Sequence, residues 1–501
     1  MPAPSPVPRL ARPALPTARP LLSAQRVFSR WRGLFLVGVL PLWPLGQGCS
    51  ETPPPIESPQ TAPLSPTVTE VLSGVAPVDP SLQWNATWVQ KTAAEFAGWR
   101  RRGIQVGSGQ DGLAAVQLAP SSTRLDCPSE DIDGGAAHFD EEVGLCSGQD
   151  PTGATLPAGV SYYAGTPFFF GTLISPEVKG ASVLDHLIPS WHATTPPGTW
   201  IQLHVRAKLP SGWTGWYRLP IWASDAAWVK RRSVKLPADA NGGVDVDTFF
   251  LKSPQVASAY QLSVTLFSMS ARASPTLHMV AAAASRDAKV YPQRPPHTSV
   301  WGKNLPVPQR SQALPEYKDK GFGGGGEVWC SPTSTSMVME YWSHVLSTPS
   351  LNHSVPDAAA GCFDWVYNGT GNWPFNTAFA ASQGLFGVVT RLDSMSEAES
   401  WIAAGVPLII SISFKPGELP GAPISKTNGH LLVVRGFDES GNVIVNDPAA
   451  RDNASVQRTY PRAALEAAWT HSHRTAYLIY PRSWLRLGPH AGSTPPALPP
   501  L

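Results

Sequence analysis

Proline divides this chain into segments and limits how much of it can fold as a single unit. The 501 residues include 53 prolines, and residues 49–81 are rich in Pro, Ser and Thr with no hydrophobic period, as expected of an extended tether. A chain of this length allows two or three domains. We therefore predict a linker at 49–81, a domain at 82–290, a second linker at 291–304, a further domain at 305–485 and a disordered tail at 486–501.

The overall charge excludes one class of partner. The chain has 38 basic and 36 acidic residues and a formal net charge of +2, so we expect no nucleic-acid partner. Charged residues make up 15%, against about 25% in an ordinary soluble domain. Together with the many prolines and 19 tryptophans, this composition indicates β-rich or linker-rich structure outside the cytosol.

Residues 1–48 have the features of a targeting segment. Arginines without any acidic residue precede an apolar stretch, Gly33 to Leu45, which is too short and too interrupted by proline for the ~20 residues of a membrane span. The following residues up to Cys49 resemble a bacterial lipobox, so we predict lipidation of Cys49, with plain signal cleavage nearby as the alternative. The expected location is secreted or at a bacterial cell envelope, with a lipid anchor as the membrane contact.

Alternation of apolar and polar residues predicts that 82–290 is an all-β sandwich. Ile201 to Leu209 has apolar side chains at every second position, which we assign to the core, and Gln202, His204, Arg206 and Lys208 between them are expected on an open face. A turn at residues 210–212 predicts a hairpin with Trp213 to Ala223. Several such strands with Gly, Pro and Asp between them are typical of a sandwich.

The second strand of this hairpin suggests a ligand-binding face. Trp216, Arg218 and Trp222 lie at even spacing, where flat rings beside polar groups would stack on sugar rings or peptides of the cell envelope. The alternative is that this face packs against the other sheet, as Trp and Tyr commonly do.

Two cysteines of this domain lie in a loop-rich stretch. Cys127 and Cys146 would close a loop of roughly 20 residues, which removes about 3 kcal/mol of unfolded-state freedom. We predict a disulfide between them, in line with an exported protein.

A third cysteine has the surroundings of a nucleophile. Cys330 follows the glycine run Gly323 to Gly326 and directly precedes a predicted helix, with Pro332 in the first turn and apolar residues on one stripe. Unpaired N–H groups and the dipole at a helix N-terminus favour thiolate over thiol. Cys330 is therefore the candidate nucleophile, whereas Cys362 is expected to be a buried thiol.

A hairpin supplies a candidate base and a group to orient it. His430 opens an apolar strand, and Asp447 follows the next strand after a turn at residues 438–441. If Phe437 pairs with Asn442, His430 lies opposite Ala449 with Asp447 on the same face. The imidazole can then take the thiol proton while the carboxylate holds its other nitrogen, as in catalytic triads.

Several motifs of residues 305–485 resemble one family. LPVPQRSQ (305–312), WCSPTS, GNWPFNT, NGHLLVVRGF and NDPAA are similar to the bacteriocin-processing (double-glycine leader) cysteine peptidases, in their exported peptidase-like branch without transporter domains. The resemblance implies an α+β papain-like fold, with Cys330 as nucleophile, His430 as base and Asp447 as orienting group. It also implies that an upstream glutamine side chain contributes to the oxyanion hole, for which Gln312 fits better than Gln309.

Further predictions for the same region concern the substrate groove, two helix starts and metal binding. Asn372 and Trp373 are predicted to line the substrate groove, with a helix-capping loop as the alternative; a helix starts at Trp373, and Ser394 opens another. We expect no cofactor and no metal site, because His471 and His473 resemble a metal pair only superficially.

These features together predict an exported cysteine peptidase or amidase that hydrolyses peptide bonds through a thioester. The partner is a peptide or protein substrate, with a cell-envelope ligand at the β-sandwich. Two alternatives stay open: a transacylase of the same chemistry, and a catalytically inactive envelope-binding protein.

Overall fold

Strands dominate the first half of the chain, where apolar and polar residues alternate, and most of the helices follow residue 330. The computed structural model describes residues 84–485, except 110–111, 121–122, 126, 128–143, 150–166, 235–237, 288–290 and 293. The predicted targeting segment, first linker and tail, and Cys49 with them, lie outside the described residues.

The N-terminal half begins with a short helix, α1 (Ala93–Ala97), which Thr92 and Glu95 cap by bonding each other's backbone N–H groups. Its described strands are β1 (Asn85–Gln90), β2 (Arg100–Arg102), β3 (Ile104–Ser108), β4 (Ala114–Leu118), β5 (Arg124–Leu125), β6 (Leu145–Gln149), β7 (Pro167–Ile174), β8 (Val178–Leu184), β9 (His186–Thr194), β10 (Thr199–Leu209), β11 (Gly212–Trp213), β12 (Tyr217–Trp222), β13 (Gly242–Asp245), β14 (Thr248–Leu251), β15 (Ala257–Ser268) and β16 (Thr276–Ser285).

Within the described part of the chain these strands form two sheets. The seven-stranded sheet has the order β13-β14-β9-β16-β4-β3, with β1 also paired to β16. The nine-stranded sheet has the order β11-β10-β15-β7-β6-β5, with β12 on β10, β2 on β7 and β8 on β15. Trp191 and Val280 from the first sheet and Val264 from the second belong to one buried apolar cluster. The sheets therefore share a core.

The predicted hairpin is present, since β10 pairs with β11 and β12. Its apolar positions are buried, but the expectation of an open opposite face is wrong: Gln202 is 5% exposed and His204 0%. That face also carries Trp200 and Phe267, which belong to a second apolar cluster, and β10 has neighbouring strands on both sides. Only Arg206 and Lys208 on this face of the strand keep partial exposure.

The expectation that Trp216, Arg218 and Trp222 share one face is also wrong. A register shift between β10 and β12 places Trp222 opposite Ile201, which points into the core, while Arg218 lies opposite His204. Trp222 is 1% exposed and Arg218 is exposed. The β-bulge breaks the alternation on which the prediction relied.

The C-terminal half contains helices and a third sheet. The described elements are α2 (Cys330–Val345), α3 (Val355–Cys362), α4 (Trp373–Ser382), β17 (Leu385–Arg391), α5 (Met395–Ala403), β18 (Leu408–Phe414), β19 (Thr427–Phe437), β20 (Val443–Asn446), β21 (Gln457–Tyr460), α6 (Arg462–Thr470) and β22 (Thr475–Pro481). The strands form an antiparallel sheet in the order β17-β22-β18-β19-β20-β21, and α2 packs on β19. Short polar side chains at the N-caps define the starts of three helices: Ser354 for α3, Asn372 for α4 and Ser394 for α5.

The two halves pack directly against each other within one unit, Ser65–Leu501. The ring of Phe375 in α4 lies 5.4 Å from Trp222 and 6.1 Å from Trp191, both in the N-terminal sheets. Val389 N–H in β17 donates to Ser190 Oγ in β9 at 2.8 Å. Apolar burial and a hydrogen bond from backbone to side chain thus join the N-terminal sheets to the third sheet and its helices. No described helix is long and apolar enough to cross a membrane.

Candidate active site

Cys330 is the first residue of α2, as its position before the predicted helix indicated. Trp329 before it is fully buried, and its indole N–H donates to Phe322 O at 2.9 Å, which fixes the chain entering the helix. Cys330 as a whole residue is partly exposed. It therefore lies where the free N–H groups and dipole of a helix N-terminus stabilise an anion, and where a substrate can reach it.

The glycine run before Cys330 forms a tight loop. Gly325 has φ +91°, a conformation that L side chains rarely adopt, and a Cβ on Gly326 would overlap the carbonyl oxygen of Gln312. The run is therefore packed against the segment that carries Gln312, and glycine is required at its last two positions.

His430 lies in β19, and Asp447 directly follows β20, the neighbouring strand. Val433 pairs with Asn446 and Val434 with Val445, which is the predicted register, and this pairing ends at Asn446. A bulge at residue 435 shifts the other end of the hairpin, where Phe437 pairs with Val443 and not with Asn442. The register near the site is therefore as expected, and the pairing at the turn is displaced by one residue.

The imidazole and the carboxylate are in direct contact. His430 Nε2 lies 2.8 Å from Asp447 Oδ1, and the two side chains are 3% and 1% exposed. Asp447 Oδ1 also accepts from the Ala449 N–H at 3.0 Å, and its Oδ2 accepts from the Tyr460 hydroxyl at 2.7 Å. Asn446 instead bonds Arg435 and the carbonyls of residues 307 and 308, so Asp447 is the group that orients His430.

The second ring nitrogen of His430 remains available to Cys330. Because Nε2 is bound to Asp447, Nδ1 is the nitrogen that is left to interact with the thiol. Burial opposes ionisation of the thiol, but the hydrogen bond and charge of His430 outweigh it and hold the pKa of Cys330 below its ordinary value.

Burial likewise disfavours the imidazolium, yet Asp447 and Cys330 raise the pKa of His430 well above its ordinary value. Burial also acts against the Asp447 carboxylate, and the charge and hydrogen bond of His430 keep the pKa of Asp447 low. The three shifts favour a thiolate and an imidazolium side by side, with the carboxylate ionised behind them.

Tyr460 was not anticipated from the sequence. It ends β21, which pairs with β20, and it is fully buried with its hydroxyl on Asp447. Its only sequence signal is a tyrosine at the end of the strand that follows the NDPAA motif, which does not identify a role.

Gln312 has a different set of partners from the predicted one. Its Nε2 donates to the carbonyls of Gly326 at 2.9 Å and Glu327 at 3.0 Å. Both amide hydrogens are thus used, and in this arrangement none is left for an oxyanion. The side chain instead ties the loop before Cys330 to the segment at residue 312. Gln309, the poorer choice, accepts from Gln457 N–H with its side-chain oxygen.

The assignment of Asn372 to the substrate groove is corrected by its burial. It is 0% exposed, its oxygen accepts from Phe375 N–H as the N-cap of α4, and its amide donates to Asp364. The helix-capping alternative is the observed one. Trp373 is partly buried, with its backbone N–H on Asp247 of the N-terminal half.

The other described cysteines lie in a disulfide or in the core. Cys127 and Cys146 form a disulfide with Cα atoms 5.5 Å apart. Cys362 is a fully buried free thiol, as expected, and burial raises its pKa to about 12. The described residues hold no group of three or more His, Cys, Asp or Glu arranged to bind a metal ion. His471 contacts the Ser413 carbonyl.

Comparisons with known proteins find family matches in both halves of the chain. Residues 304–477 match the peptidase C39-like family, and residues 86–285 match the family described as the peptidase C39 N-terminal domain. A solved structure of a protein assigned as a C39-like peptidase from Bacillus anthracis is 16% identical and covers 35% of this chain and 96% of its own. Its TM-score of 0.26 supports no structural conclusion. No curated protein matches the chain. Matched in both halves, the chain belongs to the C39 cysteine peptidase-like family.

Proposed function

We propose that this chain is an exported cysteine peptidase or amidase that hydrolyses peptide bonds with Cys330, His430 and Asp447. The observation that carries the proposal is the 2.8 Å contact between His430 and Asp447 next to Cys330 at the start of α2, with the pKa of Cys330 lowered and that of His430 raised by their mutual interaction. In a cysteine that has only a structural role, burial raises the pKa of the thiol, as it does in Cys362. The family match supports the same class of activity.

The proposed reaction uses His430 to accept a proton first from the Cys330 thiol and later from water. His430 Nδ1 takes the proton of the Cys330 thiol, and the thiolate adds to the carbonyl carbon of the substrate. As the tetrahedral intermediate collapses, the C–N bond breaks and the leaving amine takes the proton from His430, which leaves a thioester on Cys330. Water then attacks the thioester while His430 takes its proton, and the acid product departs as the thiolate is restored.

Asp447 keeps the imidazole in the orientation that these steps need. His430 Nε2 donates to it throughout, so Nδ1 always faces Cys330. The hydroxyl of Tyr460 and the N–H of Ala449 hold the carboxylate in turn. The imidazolium formed in the first step is thereby stabilised without moving heavy atoms.

The oxyanion of the tetrahedral intermediate needs hydrogen-bond donors. The backbone N–H of Cys330, in the first turn of α2, is one candidate, because N–H groups there have no intrahelical acceptor. Gln312 can supply a second donor only if one of its bonds to Gly326 or Glu327 is exchanged when substrate binds. Its role in the oxyanion hole therefore stays a prediction.

The decisive experiment compares Cys330 with Cys362, the two free cysteines within the described part of the chain. Iodoacetamide at neutral pH should label Cys330 in the wild type and in Cys362→Ala, but not in Cys330→Ala, and a fluorogenic peptide library should be cleaved by the first two proteins alone. Labelling that is equal in Cys330→Ala would refute a reactive thiol. Labelling without cleavage would favour a transacylase or an inactive binding protein, and added amine acceptors would separate those two.

The proposal includes the finer architecture and location. We assign the N-terminal half to a β-sandwich and the C-terminal half to a papain-like α+β domain, and we expect export through residues 1–48. Lipidation of Cys49 is tested by radiolabelled palmitate in a bacterial host, with Cys49→Ala as the control. A cell-envelope ligand at the N-terminal sheets is tested by pull-down with purified cell wall.

A further inference from the structure

The loop between α3 and α4, residues 363–372, borders the candidate nucleophile. Its Thr370 hydroxyl donates at 3.3 Å to the carbonyl of Val328, two residues before Cys330. Tyr367 in this loop is 48% exposed, and after burial the charge of Cys330 is the next largest influence raising the pKa of its hydroxyl. The exposed ring of Tyr367 therefore belongs to a loop that is bonded to the chain two residues before the thiol.

One carboxylate inside the loop fixes the backbone at Tyr367. Asp364 is fully buried and accepts from the N–H groups of Val366 and Tyr367, both at 3.0 Å. Its other oxygen accepts from Asn372 Nδ2 at 2.9 Å. The position of Tyr367 thus depends on where Asp364 is held.

The N-terminal half holds the beginning of this loop. The backbone N–H of Ser233 donates to both oxygens of Asp364 at 3.1 Å. The buried guanidinium of Arg231 donates to Ala360 O at 2.5 Å and Phe363 O at 3.2 Å, at the C-terminal end of α3. Arginine commonly satisfies the last carbonyls of a helix in this way, but here it comes from the N-terminal half of the chain.

The N-terminal half also holds the end of the loop. Asp247, in the turn between β13 and β14, is 5% exposed and accepts from the backbone N–H of Trp373 at 2.8 Å. Its other oxygen accepts from the Thr248 hydroxyl at 3.0 Å. Because Trp373 is the first residue of α4, Asp247 supplies an acceptor for an N–H that the helix itself cannot satisfy.

We propose that the N-terminal half builds one wall of the substrate cleft. Arg231 and Asp247 act as positioning residues at the two ends of residues 363–373, and Tyr367 contacts the peptide substrate beside Cys330. This inference rests on the proposed peptidase function and deepens it. The N-terminal half is then part of the catalytic unit and decides which peptides reach the thiol.

The test separates access of a peptide from reactivity of the thiol. In the full chain, the rate of Cys330 alkylation is measured with iodoacetamide, which needs no groove, and with a pool of acyl-tetrapeptide vinyl sulfones, which does. Tyr367→Ala and Asp247→Ala should slow the peptidyl probe by about tenfold while the iodoacetamide rate changes by less than about twofold. Asp247→Asn keeps an oxygen for Trp373 N–H and should restore the peptidyl rate.

The matched control is Asp239→Ala. Asp239 is also an aspartate of the N-terminal half that accepts from a side-chain hydroxyl and backbone N–H groups, but its partners are Tyr217, Asn241 and Gly242. Asp239→Ala should leave the rates of Cys330 alkylation by iodoacetamide and by the peptidyl probe unchanged. Equal slowing of both probes in Asp247→Ala, or an unchanged peptidyl rate in Tyr367→Ala, would overturn the inference.

A second measurement does not depend on a reactive thiol. Deuterium uptake of residues 363–373 should increase in Asp247→Ala relative to wild type and Asp239→Ala, because Trp373 N–H loses its acceptor. If wild-type Cys330 reacts with neither probe, the proposed function fails, and unchanged uptake would separately overturn the positioning role of Asp247.

Discussion

The hydroxyl of Tyr460 donates to Asp447 at 2.7 Å, on the carboxylate oxygen opposite the one that His430 bonds. The carboxylate is thereby held from both sides. The carboxylate that bonds the candidate base His430 is itself held by a buried phenol from the adjacent strand.

Tyr460→Phe should reduce kcat by about tenfold, because Asp447 loses a charge-assisted hydrogen bond in a buried site. The pKa of Asp447 should rise, and with it the orientation of His430 should loosen. The measurement is kcat and KM on a cleaved peptide as a function of pH. A KM change with constant kcat would contradict this role.

His430→Ala should move the ionisation of Cys330 to higher pH. Burial raises the pKa of this thiol, and without His430 nothing of comparable size opposes it. Iodoacetamide labelling, which follows the thiolate, should reach its plateau at a lower pH in the wild type than in the variant. The measurement is the labelling rate against pH by mass spectrometry. Coincident profiles for the two proteins would rule out the ion pair.

Asp447→Asn should lower kcat by about a hundredfold or more, because an amide neither stabilises the imidazolium nor fixes which ring nitrogen is protonated. The pKa of His430 should fall and that of Cys330 rise, so less thiolate is present at neutral pH. Stopped-flow kinetics with the ultraviolet absorbance of the thiolate measure both effects. Unchanged thiolate content in a folded variant would argue against the role of Asp447.

Asp247 should make stability depend on pH. Burial raises the pKa of its carboxyl to about 7, so the folded chain retains a proton there that the unfolded chain, with a pKa near about 4, has lost. This contribution to stability is present at low pH and is lost as the pH rises from about 4 to about 7. Asp247→Asn lacks it. The melting temperature of wild type relative to the variant should therefore be higher at about pH 5 than at about pH 8, and a constant difference would contradict the raised pKa.

Removing the disulfide should cost stability without affecting the thiol of the candidate site. The sequence separation of 19 between Cys127 and Cys146 corresponds to about 3 kcal/mol in the loop-entropy account. The double variant to alanine should melt several degrees lower by calorimetry and still label at Cys330. Equal melting temperatures would show that the loop is already ordered in the unfolded chain.

The positions of Cys330, His430 and Asp447 were predictable because each is governed by local rules. A helix start fixes the surroundings of the cysteine, and the pairing of two adjacent strands fixes the distance between the other two. The bulge at residue 435 changed the register only on the far side of the site.

The contributions of Tyr460, Asp247 and the true partners of Gln312 depend on which segments meet in space, and no local rule gives that.

The N-terminal sheets were predicted less well for the same reason. The alternation of apolar and polar residues identified the hairpin. It does not show whether the second face of β10 is covered, because that depends on the residues that pack on it. His204 was therefore expected in solvent, but it is buried. Trp222 was misassigned because a single bulge reverses the side to which a residue points.

The packing at Gly325 and Gly326 restricts how the segment before the nucleophile can vary. Neither position has space for a Cβ, and Gly323 and Gly324 before them have φ values of +90° and +122°, which L side chains rarely adopt. Relatives with longer or shorter approaches to the cysteine should therefore differ upstream of Gly323. Protein engineers who wish to insert an affinity tag or a hinge near the thiol would have to place it before this run of four glycines.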